Sequence, residues 1–139
     1  MTREIDIFTR QIIDTSVGTF IKKSTNIGVV TYKGRTDVTV EELSDFLNQI
    51  YQLMQDKPFY LINDLRNHYG SFSNEVWRFL GSDKKFNSTI LRSIVISSSL
   101  GMRIQLNFFI KLIKPKFKVT HVKSEKEAYN LIDKLESAT

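Results

Sequence analysis

PFYLINDLRNHYGSFSNEV, residues 58–76, is the stretch on which the fold turns. Phe59-Tyr60-Leu61-Ile62 is too short for a helix and does not alternate, the pattern of a central strand covered on both faces. A polar turn opens at Asp64, and a helix begins near Ser73, a residue suited to capping free backbone N–H groups. In open α/β sheets ligands and partners gather at this strand-to-helix edge.

Elements of matching kind lie on either side. Gly18–Ser24 and Ile27–Lys33 are β-rich runs joined by Thr25-Asn26 and read as a hairpin. Residues 1–17 form a peripheral N-terminal element whose apolar positions fit both strand and helix spacing. Thr39 with Glu42 forms a capping box, and Val38 can staple against Leu43. Leu43, Phe46, Leu47, Ile50 and Met54 then make a buried helical stripe, closed by Asp56-Lys57-Pro58. Val76, Trp77 and Leu80 give a short helix ending at Gly81, and residues 82–89 read as a polar connection. Ile90–Ile96 is a second buried strand, Met102–Lys114 a strongly apolar helix stopped by Pro115, and Phe117–Val122 a last strand. Ser124 with Glu127 opens a final helix carrying Ala128, Leu131, Ile132 and Leu135. The expected architecture is one α/β domain over residues 1–139: a mixed, mainly parallel sheet with an N-terminal β-hairpin and about four helices.

Composition narrows the function. The chain has 139 residues, no cysteine and a net charge of +5. Disulfides and cysteine-ligated metals are therefore excluded. Neither a secretory signal nor an apolar run of membrane-spanning length is present, so a cytoplasmic protein without a transmembrane segment is expected. From Lys84 to Ser124 there are nine basic side chains and no acidic one. Such a segment suits an anionic ligand or partner, although a solvated basic face is the commoner reason for one. The aromatics fall at core spacing rather than among exposed arginines, which argues against nucleic acid.

The segments Leu61-Ile62-Asn63-Asp64-Leu65-Arg66-Asn67, Ser99-Leu100-Gly101-Met102 and Asn107–Lys116 resemble the SpoIIAA-like (STAS) superfamily, between about Val29 and Leu135. The closest likeness is to single-domain bacterial proteins described as STAS/SEC14-like. The resemblance implies a SpoIIAA-like fold and a regulatory role through protein partners. In the anti-sigma-factor antagonists of that superfamily, a serine in an Asp-Ser-Ser-Gly type turn is phosphorylated. Here the corresponding turn is Tyr69-Gly70-Ser71-Phe72-Ser73-Asn74, which makes Ser71 and Ser73 the matching positions. No aspartate directly precedes either serine and no glycine follows.

Two groups of residues are candidates for binding. One is a polar rim: Asp64, Arg66, Asn67, His68, Tyr69, Ser71 and Ser73, with Ser97, Ser98, Ser99, Gly101 and Arg103 from the next strand-to-helix turn. Two serine-capped helix starts could receive an anion, while the simpler role for Asp64 and the serines is to serve their own turns. The other is the apolar face of the Met102–Lys114 helix, with Ile104, Phe108, Phe109 and Leu112. Arg103, Asn107, Lys111 and Lys114 occupy a narrow polar strip, leaving more apolar surface than a one-face helix needs. The N-terminal segment, a second subunit, or a lipidic or other apolar ligand could cover it. His68 and His121 lack partners at metal-site spacing, and no phosphate loop, dinucleotide fingerprint or nucleophile elbow occurs. No cofactor or metal is expected. Catalysis by Asp64, His68 or Tyr69 ranks behind a non-catalytic interaction module and a carrier of an apolar ligand.

Overall fold

The computed structural model describes residues 11–66, 72–97 and 99–138. Six strands form one sheet in sequence order: β1 (Ile12–Asp14), β2 (Gly18–Ser24), β3 (Ile27–Tyr32), β4 (Phe59–Asp64), β5 (Ile90–Ile96) and β6 (Lys118–Val122). The pairs β1–β2 and β2–β3 are antiparallel, and β3 through β6 run parallel. The helices among the described residues are α1 (Val40–Leu53), α2 (Asn74–Ser82), α3 (Lys84–Thr89), α4 (Leu100–Ile113) and α5 (Glu125–Ser137). None is long and apolar enough to cross a membrane.

The sheet order explains the layering. Crossovers of one hand that always step in the same direction put every connecting helix on one face. Leu43 and Phe46 of α1, Val76 and Leu80 of α2, Phe86 of α3 and Phe109 of α4 accordingly share a core with Phe20, Val30, Phe59 and Leu61. The opposite face is covered by α5, through Ala128 and Ile132 against Val29, Tyr60, Ile62, Ile94 and Ile96. Strand β4 is buried from Phe59 to Asn63, as its continuous apolar run requires.

The expected α/β order, hairpin and capped first helix are present. Thr39 and Glu42 form the reciprocal box, and Val38 is buried beside Leu43. Four details differ. Ile12–Asp14, part of the ambiguous N-terminal element, is an edge strand, because β2 offers it a free edge. Residues 84–89 are a helix rather than a plain connection, so the described residues hold five helices where about four were expected. Asp83 caps this one on the Phe86 N–H, and Phe86 and Asn87 are buried. Asn87 donates to the carbonyls of Leu80 and Asp83 and accepts from the Lys116 N–H, which ties α3 to the approach to β6. The first helix ends at Leu53, before Pro58, because Gln55 and Asp56 take positive φ. The apolar helix starts at Leu100, two residues early, because Ser99 is its N-cap.

The start of α1 also carries a paired charge. Arg35 donates to both carboxylate oxygens of Glu42, at 2.6 and 3.0 Å, and the Thr39 N–H adds a third bond. These partners, Arg35 first, lower the Glu42 pKa from 4.5 to about 2. A carboxylate depressed on folding adds stability above its unfolded pKa and loses it as pH falls through the folded one. Urea midpoints measured from pH 7 to pH 2 should therefore fall below about pH 4.5. Glu42→Gln should flatten that decline without abolishing it, because Asp14, Asp37 and Asp64 are also depressed.

Candidate functional site

Among the described residues of the polar rim, the carboxylate and the serines are engaged in their own turns and caps. Asp64 accepts from the Arg66 backbone N–H at 3.2 Å, from Nε at 2.9 Å and from Nη2 at 2.7 Å. The Arg66 guanidinium holds this carboxylate below its usual pKa. By strand alternation Asp64 lies on the α5 face, and Arg66 also feels the charge of Glu125. Ser73 caps α2 through the Val76 N–H at 3.3 Å. Ser97 accepts from the Ser99 N–H at 3.2 Å, and Ser99 caps α4 through the Met102 N–H at 3.3 Å. Asn67, His68, Tyr69, Ser71 and Ser98 lie outside the described residues.

Arg103 is exposed and, with Ser97, Leu100 and Lys123, lines a shallow depression of about 330 Å3. His121 sits half-buried on the same face of β6 as Val119. Burial first, and Arg103 second, hold its pKa below 6.5. Its Nε2 is buried without a hydrogen-bond partner. This favours the neutral ring at pH 7.

The less ordinary feature is the outer side of α4. Its inner side is set by Met102, Leu106 and Phe109, all buried. Phe109, expected on the free apolar face, is therefore a core residue. It packs on Trp77 with ring centroids 4.9 Å apart. Four large side chains remain in the open: Leu100 is 71% exposed, Ile104 59%, Phe108 64% and Leu112 62%. At intervals of four they form one row along the helix. Among the described residues nothing covers that row.

Alongside the row runs an open groove of about 390 Å3, with Phe72, Trp77 and Arg78 on one wall and Ile104, Phe108 and Leu112 on the other. Ile113, which also lines the groove, packs against Gly81, and any Cβ at position 81 would overlap the Ile113 side chain. Phe72, Trp77 and Phe109 also line a cavity of about 50 Å3 beneath the groove, so these rings separate the two. Asn63 and Ser93 supply polar groups to the cavity, with Asn63 Nδ2 donating to Ser93 Oγ at 2.9 Å. Tyr32, at the cavity wall, has its hydroxyl pKa pushed well up by burial.

Sequence reasoning found three of these four exposed side chains and missed the partner wall. A helix expected from Met102 leaves Leu100 in the turn before it, although its spacing from Ile104 carries the signal. Phe72, Trp77 and Arg78 belong to another helix, and only tertiary packing brings them to α4. Two glycines give opposite expectations. Gly81→Val should cost about 1–3 kcal/mol through overpacking against Ile113. Gly101→Ala, whose Cβ would make only an ordinary contact with Ser99 Oγ at 3.6 Å, should add up to about 1 kcal/mol through helix propensity. Urea denaturation of the two variants checks both signs.

No curated protein and no solved structure matches the chain. A family model does match, over residues 20–136. That span reaches from β2 into the last turn of α5 and takes in both walls of the groove. The chain belongs to the family described as Domain of unknown function (DUF7793).

Proposed function

We propose that this protein is a non-catalytic regulatory or protein-interaction module of STAS-like type, working in the cytoplasm through the outer side of α4. The observation that carries this reading is the row Leu100, Ile104, Phe108 and Leu112, exposed beside an open groove. Monomeric soluble proteins seldom leave a contiguous apolar patch of this kind bare, and one rimmed by polar residues marks an interaction site. The sequential element order with an N-terminal hairpin supports the STAS likeness, while the interaction itself rests on the surface and not on the fold. Asp64, Ser73, Ser97 and Ser99 are engaged in their own turns and caps, so the reading moves weight from the rim to the helix. Arg103, at the junction of the two, belongs to both.

The test is capture by the full chain, combined with light scattering. Wild type should retain a discrete partner or a second copy, and Phe108→Asp should lose it. Because Phe108 is exposed, its replacement should leave the unfolding midpoint nearly unchanged, within about 0.5 kcal/mol. A strict monomer that captures nothing, or a Phe108→Asp variant that captures as well as wild type, would sink the proposal.

One observation favours a second reading, a carrier of an apolar or lipidic molecule. The groove and the cavity beneath it share Phe72, Trp77 and Phe109, and rotation of those rings would join them into a deeper apolar site. Native mass spectrometry after gentle extraction should then show a bound ligand, and Trp77→Ala should change its retention. An empty protein with no affinity for vesicles would dispose of this alternative.

A further inference from the structure

We infer that the groove between α2 and α4 receives an amphipathic helix from a partner protein, with carboxylates flanking that helix's apolar row. The inference rests on the interaction reading above and names the partner's chemistry.

Shape is the first argument. Leu100, Ile104, Phe108 and Leu112 form a ridge along the four-residue row of α4, and Gln105, Phe109 and Ile113 lie on the next such row. Helices pack by seating the ridge of one in the groove between two ridges of another. At 1.5 Å per residue the α4 row is about 18 Å long, which fits three to four turns of a partner helix. The wall formed by Phe72 and Trp77 makes the site concave. A bilayer surface, being flat, would leave such a concavity unfilled.

Charge is the second. Among the described residues, Arg78 is the one charged side chain lining the groove. Arg103, Lys111 and Lys114 stand exposed on or beside α4. Among the described residues no ion pair engages these four side chains, and no acidic residue occurs from Lys84 to Ser124. A second copy of α4 would set like charges against each other with no carboxylate of its own to offset them. An acidic helix places its carboxylates against Arg78 on one side and Lys111 or Arg103 on the other.

The floor gives a third. Gln105 lines the groove, and its Oε1 is buried with no hydrogen-bond partner. Rotation of this amide toward the groove would let a polypeptide side chain satisfy it, whereas hydrocarbon could not.

Trp77 is the only tryptophan in the chain and lines the groove, so its fluorescence reports occupancy directly. The full chain would be titrated with two stapled helical peptides sharing one leucine row, flanked by glutamates in one and by lysines in the other. Phosphatidylglycerol and phosphatidylcholine vesicles complete the set, and light scattering follows self-association. The glutamate peptide should shift Trp77 emission to the blue and bind at least about tenfold more tightly than the lysine peptide, with the gap shrinking in high salt. Phe108→Asp should weaken binding about tenfold or more. The double variant Arg103→Glu, Lys111→Glu should reduce or reverse the preference, with far-UV circular dichroism verifying the fold of both variants. Equal binding of the two peptides, a response to anionic vesicles alone, or a dimer that occludes Trp77 would overturn the acidic helix while leaving α4 as the interaction surface. No response to any probe, with a monomer that captures nothing, would overturn the interaction reading as well.

Discussion

Burial of β4 on both faces is the constraint from which the other features follow. Phe59 and Leu61 enter one core, Tyr60 and Ile62 the other, and each such side chain contributes roughly 1.5–3 kcal/mol when removed from water. A strand buried this way must be paired on both edges, and β3 and β5 supply those edges in parallel. Parallel pairing demands crossovers, and their common direction stacks α1 to α4 on one side. Helix α4 ends that layer, over β5 and β6. Its inner face is used up by Met102, Leu106 and Phe109, and nothing among the described residues covers its outer face.

Local chemistry made most of the fold readable. The caps Thr39, Ser73, Ser99 and Ser124 each accept the backbone N–H that their position calls for, since a cap depends only on residues within one turn. The errors fall where a distant partner decides. Ile12–Asp14 is a strand because β2 is there to pair with it; its two isoleucines favour a strand, but three residues are too few to separate strand from helix spacing. Helix α3 reads as polar, yet Asn87 is buried by bonds to Leu80, Asp83 and Lys116, the last far along the chain. The end of the first helix is a local exception: it stops at residues of positive φ, Gln55 and Asp56, of which Asp tolerates that conformation and Gln does not announce it.

The site was legible in part for the same reason. Periodicity exposed the surplus of apolar residues on α4, because a single helix can be wheeled without knowing its neighbours. It could not say which of them the core would take, and it left Phe109 among the free ones. That choice depends on Trp77, brought from α2 to within 4.9 Å. The rim shows the opposite failure. Asp64 and Arg66 have residue types common in active sites, but the bidentate pair at 2.7 and 2.9 Å spends the carboxylate on its own turn.

The cations beside the row have two consequences that are easily mistaken for one. Charges flanking an exposed apolar segment discourage self-association, since two copies meet with like charges facing. The same charges raise the encounter rate and selectivity for a surface of opposite sign. A protein that needed only solubility could have replaced Leu100, Ile104, Phe108 and Leu112 with polar residues, because none of them is needed by the core beneath. Keeping four large apolar side chains in water, and surrounding them with Arg78, Arg103, Lys111 and Lys114, satisfies both demands at once. On the interaction proposed for this surface, the row would supply affinity once water is excluded, and the charges would select what is allowed to exclude it.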